Sequence, residues 1–223
     1  MTTTHPEYQY LDLIRRIIEK GFYRPSPHAP LPGKGANPGT YTLINQNMEF
    51  DLSTGQFPLM TLRQAFFKSI LKELLWFLSG STDNADLKAM KAGLWHPWDT
   101  PDTNQSIGWA PGQLGPIYGK QWRHWRATMS RPDGTLDSPG FDQITNLVEG
   151  IKSAPHSKRL FVSSYDPQDA KDCFVTTCHG TFFVSVFDDR LNLHQIQRSG
   201  DVPVGIPYNI ASYSLLIYML AQV

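Results

Sequence analysis

The spacing of apolar residues along the chain predicts four helices. Leucine and isoleucine recur every three or four residues near the start, and a glycine follows where this pattern ends. The second segment has the widest apolar face, so we expect it to be the most strongly helical. The predicted helices span residues 7–20, 61–80, 141–153 and 210–223.

Alternating apolar and polar residues predict strands over residues 39–52, 159–165, 174–187 and 191–198. Asp188-Asp189-Arg190, between the last two, predicts a hairpin. Residues 24–38 are rich in proline and glycine and predict a loop, and residues 95–140 are expected to be irregular. This order of elements predicts an α+β fold, with one domain over residues 1–223 in which helices cover a largely β-sheet core.

The composition is that of a globular protein without a dominant charge. Of 223 residues, 40% are apolar and 18% are charged, and the formal net charge is zero. This balance gives no electrostatic reason to expect nucleic acid or an anionic membrane as the main partner. The chain has no apolar run of about 18 residues, so we predict no membrane span. An apolar helix that ends at Val223 without a cap leads us to expect a chain truncated at its C-terminus.

The chain has two cysteines, Cys173 and Cys178, both in the predicted strand 174–187 or at its edge. Their offset of five residues places them on opposite faces of a strand, about 16 Å apart. We therefore expect no disulfide between them. Two free thiols, together with an N-terminus that lacks the order of a secretory signal, predict a cytoplasmic protein.

Glu73 interrupts the apolar face of the predicted helix 61–80. It lies three residues after Ile70 and four before Phe77, so the three side chains share one face. One interpretation is an edge residue whose carboxylate reaches water. The other is a carboxyl with a raised pKa that is suited to proton transfer.

A nucleophilic role for Cys178 requires a positive charge nearby, because the thiolate is the reactive form. Arg198 supplies that charge if the hairpin brings residues 191–198 beside residues 174–187. His179 follows the thiol directly. The alternative is an inert small apolar residue, which is the usual role of a buried cysteine in a strand.

The run from Gln197 to Asp201 has the chemistry of a phosphate site, since a guanidinium donates to two anionic oxygens and Ser199 lies beside Arg198. Asn209 has two interpretations. As an N-cap it begins the last helix. As a base reader, its amide donor faces O4 of uracil and its acceptor faces N3–H, which selects uracil over cytosine.

Several separate motifs together resemble the thymidylate synthase family, in order and from about residue 8 to the end of the chain. They are Glu73-Leu74-Leu75-Trp76-Phe77-Leu78 with Gly80, Leu114-Gly115-Pro116-Ile117-Tyr118-Gly119-Lys120-Gln121-Trp122-Arg123, Thr177-Cys178-His179, the run 198–201, and Pro207–Tyr213. Independent motifs that match together are far more specific than any one of them.

The resemblance implies an obligate homodimer whose sheets pack together and whose active sites are shared. It implies conversion of dUMP to dTMP with 5,10-methylenetetrahydrofolate, which donates the one-carbon unit and reduces it, through a covalent bond between Cys178 and C6 of uracil. The implied catalytic residues are Cys178, Glu73, Tyr118, His179, Arg198 and Asp201. The implied nucleotide-binding residues are Arg198, Ser199, Asn209 and Gln197, with Lys158 and Arg159 reaching a phosphate across the dimer interface. The implied folate contacts are Trp95, Trp98 and Asp201.

Some positions depart from the family's pattern. Thr177 stands where a proline usually precedes the catalytic cysteine, Phe183 where a glutamine is typical, and His96 where an acidic residue often follows the tryptophan. Lys158 replaces an arginine and loses the bidentate fork. The N-terminal phosphate loop, usually Arg-Thr-Gly-Thr-Gly, is Gly35-Ala36-Asn37-Pro38-Gly39, with Lys34 as the candidate cation.

Two alternative functions stay open at this point. A dUMP hydroxymethylase would release 5-hydroxymethyl-dUMP and tetrahydrofolate, and the divergent folate-side residues are compatible with it. A non-catalytic nucleotide-binding relic would keep the fold with an ordinary Cys178 thiol. The seven histidines are scattered, without His-x-x-x-His spacing, so we expect no metal.

Overall fold

The computed structural model describes residues 5–26 and 38–223. Tertiary contacts divide the chain into two compact units, residues 1–64 and residues 65–223. Lys34 and most of the expected phosphate loop lie outside the described residues. None of the described helices is long and apolar enough to cross a membrane.

Among its described residues, the first unit has one α-helix and a two-stranded antiparallel sheet. Its elements are α1 (Tyr8–Lys20), β1 (Phe22–Arg24), β2 (Thr40–Thr42) and a 3₁₀ helix at Leu52–Thr54. The predicted first helix is confirmed, and Gly21 follows it in an extended conformation. The strand predicted over residues 39–52 is wrong beyond Thr42. Asn45 has a positive φ of 55°, which ends the extended backbone.

The second unit, whose backbone is described throughout, contains six α-helices. They are α2 (Phe67–Ser79), α3 (Asn84–Ala89), α4 (Pro101–Ile107), α5 (Tyr118–Arg123), α6 (Gln143–Ser153) and α7 (Gly205–Leu220). Short 3₁₀ helices lie at His96–Trp98 and Ala170–Asp172.

Several helix boundaries differ from the predicted ones. The helix predicted over residues 61–80 begins only at Phe67, because Phe66 has non-helical backbone angles (φ −88°, ψ 88°). Residues 95–140 are not irregular throughout, since α4 and α5 lie there. Both helices are too short to show a 3.6-residue apolar repeat. Helix α7 begins earlier than predicted, at Gly205, whose N–H donates to the carbonyl of Asp201.

Three antiparallel strands form the sheet of the second unit, in the order β3 (Phe161–Val162), β4 (Thr181–Phe187) and β5 (Arg190–Ile196). The predicted hairpin is confirmed, and Asp188 and Asp189 both have positive φ (48° and 58°), as a two-residue turn requires. The strand predicted over residues 174–187 is too long, because Gly180 has a φ of 93° and interrupts the extended chain.

Cys173 and Cys178 therefore lie outside any strand, and their predicted placement on opposite strand faces is wrong. Cys173 ends the 3₁₀ helix at Ala170–Asp172, and Cys178 lies in the turn that leads into β4. Both are free thiols.

The predicted mixture of helices and sheet is confirmed. The core of the second unit lies between the helices and one face of the sheet, where α2 contributes Trp76 and Phe77 and β4 contributes Phe182 and Val184. On the opposite face, Phe161, Phe183 and His194 are neighbours across the three strands, and their side chains are exposed. Within the described second unit, the core therefore covers one face of the sheet.

Candidate active site

Cys178 is held by one contact of its backbone and one of its side chain. Its backbone N–H donates to the hydroxyl of Tyr118 over 2.9 Å, and Tyr118 is the first residue of α5. Its Sγ lies 3.4 Å from the carbonyl oxygen of Thr176. The residue is half-buried.

Arg198 follows the end of β5 and lies against the Cys178 turn. Its Nη2 is 3.8 Å from the Cys178 Sγ, and its Nε donates to the carbonyl of Thr177 over 3.1 Å. The guanidinium also lies 5.5 Å from the centre of the Tyr165 ring. The hairpin thus brings a cation beside the thiol.

Three titratable rings pack behind the thiol, of which Tyr118 and Tyr213 are buried and His179 is half-buried. His179 stacks on Tyr118 with ring centres 4.4 Å apart, and its Nδ1 is 2.8 Å from the hydroxyl of Tyr213. Burial lowers the pKa of His179 to about 3, so this imidazole is neutral at physiological pH. Burial also raises the pKa values of Tyr118 and Tyr213 well above the ordinary value, so both phenols stay protonated.

Glu73 projects from α2 towards the indole of Trp95, whose Nε1–H donates to its carboxylate over 2.7 Å. Burial raises the pKa of Glu73 to about 7, although the indole bond acts in the opposite direction. At neutral pH this carboxyl is close to half-protonated. It is therefore able both to accept and to donate a proton.

Two tryptophans line the region beside Glu73. The rings of Trp95 and Trp98 are 5.6 Å apart, and the ring of Trp95 is 6.0 Å from that of Tyr118. Trp95 is buried, whereas Trp98 is exposed. A flat aromatic ligand would find an accessible stacking surface on Trp98.

A chain of amides orients Asn209. Gln195 donates to Oε1 of Gln197 over 2.9 Å, and Nε2 of Gln197 donates to Oδ1 of Asn209 over 3.2 Å. Gln197 also donates to the carbonyl of Ser199 over 2.7 Å. Asn209 lies beyond the first turn of α7, so its interpretation as the N-cap is wrong. The bond from Gln197 orients the amide so that its Oδ1 faces Gln197.

Comparison with known proteins agrees with this arrangement. The sequence profile of the family described as "Thymidylate synthase" matches residues 8–223. The protein "Thymidylate synthase 1/2" of Encephalitozoon cuniculi (strain GB-M1) is 38% identical over 220 residues, which is 98% of this chain and 72% of that protein. The chain belongs to the thymidylate synthase family. It is an enzyme of the thymidylate synthase type.

In this family member, the fold brings together most of the candidate residues. Cys178, His179, Tyr118 and Arg198 form one group, and Trp95 links Glu73 to it through its contact with the Tyr118 ring. Gln197, Ser199 and Asn209 form a second group, joined to the first through Arg198 in the sequence.

Three candidates have no described side-chain hydrogen bond or ion pair with these groups. The side chain of Asp201 accepts the N–H of Val204 over 2.8 Å and is exposed. Lys158 and Arg159 have exposed side chains just before β3, and no described hydrogen bond or ion pair joins them to Cys178 or Arg198. In the described parts of the chain, no group of three or more His, Cys, Asp or Glu side chains is placed to hold a metal ion.

Two side chains that hold the Cys178 turn were not among the residues predicted from the sequence. Thr177 donates to the carbonyl of Ser164, and Tyr213 contacts His179. Tyr213 belongs to the run Pro207–Tyr213, which resembles the family's motif, so the sequence contained a signal that could have identified it. Ser164 is separated from Thr177 by 13 residues, and nothing local in the sequence pairs them.

Proposed function

We propose that this enzyme methylates dUMP at C5 to give dTMP, with 5,10-methylenetetrahydrofolate as the co-substrate that supplies and reduces the one-carbon unit. The observation that carries the proposal is Arg198 Nη2 at 3.8 Å from Cys178 Sγ. Support also comes from the carboxyl of Glu73, which has a pKa of about 7 and is linked to Tyr118 through Trp95. A nucleophile with an adjacent cation and a proton-exchanging carboxyl suits conjugate addition to a uracil ring.

The nucleotide would be held through its phosphate and its base. Arg198 and Ser199 bind the phosphate, with a bidentate contact from the guanidinium. Asn209 reads uracil, because its amide donates to O4 and accepts from N3–H. Support comes from Gln197, whose bond to Oδ1 of Asn209 leaves the NH₂ group of that amide free to face O4.

In the first chemical step, the thiolate of Cys178 forms a bond to C6 of the uracil ring, and the electron pair of the C5–C6 double bond moves to C5 and O4. Glu73, acting through ordered water, donates a proton towards O4. Because the Glu73 pKa is near neutrality, the same carboxyl takes this proton back in a later step.

In the second step, the folate would be bound by Trp95, Trp98 and Asp201. C5 bonds to its methylene carbon as one of the two bonds from that carbon to the folate nitrogens breaks. The remaining bond between the methylene carbon and the folate nitrogen then breaks, with its electron pair going to that nitrogen, as a water molecule accepts the C5 proton. Tyr118 stays protonated, so with His179 it assists this transfer by orienting a water molecule rather than as a phenolate base. A hydride from the folate would then add to the methylene carbon and leave dihydrofolate, and the C5–C6 double bond re-forms as Cys178 departs from C6 as a thiolate.

We further propose that two copies of the chain pack through the exposed face of the sheet. Phe183 (38% exposed) and Phe187 (65% exposed) lie on this face, and burial of such apolar area favours association. Lys158 and Arg159 precede Phe161, which lies on the same face. Exposed cations at that edge are available to the phosphate of a second subunit. A cytoplasmic location stays a prediction.

The test is a mass-resolved assay of dUMP with 5,10-methylenetetrahydrofolate that follows nucleotide and folate products together. We expect dTMP with dihydrofolate, and none from the matched Cys178→Ala variant. Release of 5-hydroxymethyl-dUMP with tetrahydrofolate would show that the enzyme is a dUMP hydroxymethylase and would overturn the proposal. Equal product from Cys178→Ala would refute the covalent mechanism.

A further inference from the structure

The residue before the nucleophile connects the Cys178 turn to two other segments. Thr177 is buried, and its hydroxyl donates to the carbonyl of Ser164 over 3.0 Å. Its own carbonyl accepts the Nε–H of Arg198 over 3.1 Å. One residue therefore links the turn to the segment after β3 and to the cation beside the thiol.

Ser164, which accepts the Thr177 bond, is itself held in place by burial and by two further hydrogen bonds. It is 1% exposed, and its backbone N–H donates to Oγ1 of Thr181 at the start of β4 over 3.1 Å. Its hydroxyl donates to the carbonyl of His179. Ser164 thus contacts the chain on both sides of Cys178, through Thr177 and through His179.

The position of Arg198 depends on this turn. Its guanidinium donates to the carbonyls of Thr176 and Thr177, and the same Nη2 reaches Cys178 Sγ at the long distance of 3.8 Å. A change in the direction of these carbonyls would move the guanidinium. The attraction between a cation and a thiolate weakens as their separation grows.

We propose that Thr177 is a positioning residue, whose hydroxyl bond to the Ser164 carbonyl keeps Arg198 beside the Cys178 sulfur. A proline at this position would restrict the backbone through its fixed φ, whereas threonine imposes no such restriction. Here the side-chain bond supplies the constraint. The inference rests on the proposed role of Cys178 as nucleophile.

The test compares Thr177→Val, which keeps the shape and removes the hydroxyl, with Thr177→Ser, which keeps the hydroxyl. The readout is the rate of Cys178 alkylation by iodoacetamide at pH 7, followed on the Cys178 peptide by mass spectrometry. We expect a rate about fivefold lower in Thr177→Val, the effect of one buried hydrogen bond, and a rate near wild type in Thr177→Ser.

A control at an exposed site is Thr54→Val in the first unit. It removes the hydroxyl bonds to the Asp51 carbonyl (2.9 Å) and from the Gln56 N–H (3.3 Å), and it should leave the alkylation rate unchanged. Should Thr177→Val fail to fold, Thr177→Ala provides the same comparison. A folded Val or Ala variant that alkylates at the wild-type rate would overturn the proposal, even if its melting temperature falls. So would a Thr177→Ser variant as slow as Thr177→Val.

In turnover assays, loss of the hydroxyl should lower kcat more than it raises KM for dUMP. The alkylation assay requires neither nucleotide nor folate. A wild-type chain that makes no dTMP but shows the Val and Ser difference would count against the proposed function alone. The reverse result would count against Thr177 alone.

Discussion

Trp95 donates its indole N–H to the carboxylate of Glu73 across 2.7 Å, and this bond opposes the rise in the Glu73 pKa that burial causes. Removal of the bond should therefore raise that pKa further above about 7. In Trp95→Phe, we expect the pH midpoint of kcat that reports Glu73 to move to higher pH. Trp76→Phe is the matched control, since the Trp76 indole donates to the carbonyl of Asp83 instead. If the midpoint does not move in Trp95→Phe, the bond from Trp95 does not lower the pKa of Glu73.

Glu73→Gln should abolish turnover yet stabilise the fold at alkaline pH. The pKa of Glu73 is higher in the folded state, about 7, than its ordinary value of 4.5, so the folded state binds the extra proton between these values. The charged carboxyl thus destabilises wild type as pH rises through this window. We expect the free energy of unfolding of Glu73→Gln to exceed that of wild type by up to about 3 kcal/mol at pH 8, and the two to be close at pH 4. Urea titrations at both pH values measure this difference in the free energy of unfolding. A Glu73→Gln variant less stable than wild type at pH 8 would contradict the prediction.

Asp99→Asn should destabilise the protein most at neutral pH. Burial opposes ionisation of this carboxyl, but hydrogen bonds from Lys88, Asn84 and the backbone of Gly112 outweigh it and lower the pKa of Asp99 to about 2. The stabilisation is complete above the ordinary value of 3.8 and is lost as pH falls towards 2. We expect a loss of about 2 kcal/mol at pH 7 that shrinks below pH 4. Denaturant titrations from pH 7 to pH 2 test this, and a constant difference would argue against an ionised Asp99.

The two cysteines should react very differently. Burial, with the nearby charges of Asp169 and Asp172, raises the pKa of Cys173 to about 12, whereas Cys178 lies beside Arg198 and is half-buried. We expect iodoacetamide at pH 7 to label the Cys178 peptide first, with loss of activity in step with that label. Cys173→Ala should retain turnover, while Cys178→Ala falls to background. If the loss of activity instead followed the labelling of Cys173, Cys178 would not be the reactive thiol that activity requires.

Asn209→Asp should shift preference from dUMP towards dCMP. A carboxylate has no donor for O4 of uracil, but it accepts from the N4 amino group of cytosine. Gln197 still donates to the new side chain, so its position should be kept. We expect the ratio of kcat/KM for dUMP over dCMP to fall by about tenfold or more. An unchanged ratio would remove Asn209 as the base reader.

Local patterns were enough for those features that depend on neighbouring residues. The apolar spacing and Gly21 place α1, and the two aspartates of the hairpin place β4 beside β5, which in turn places Arg198 near Cys178. The family motifs pointed to the candidate residues. Each of these signals is contained in a short run of sequence, so the sequence alone is sufficient to predict it.

Only the tertiary structure decided how these residues act on one another. Tyr118 and Cys178 are 60 residues apart, and Trp95 and Glu73 are 22 apart, so their contacts depend on how helices pack against the sheet. The raised pKa of Glu73 and the lowered pKa of His179 both result from burial in that packed interior. Thr177 and Ser164 meet for the same reason. Burial and distance between remote residues are properties of the packed chain, and no short pattern in the sequence contains them.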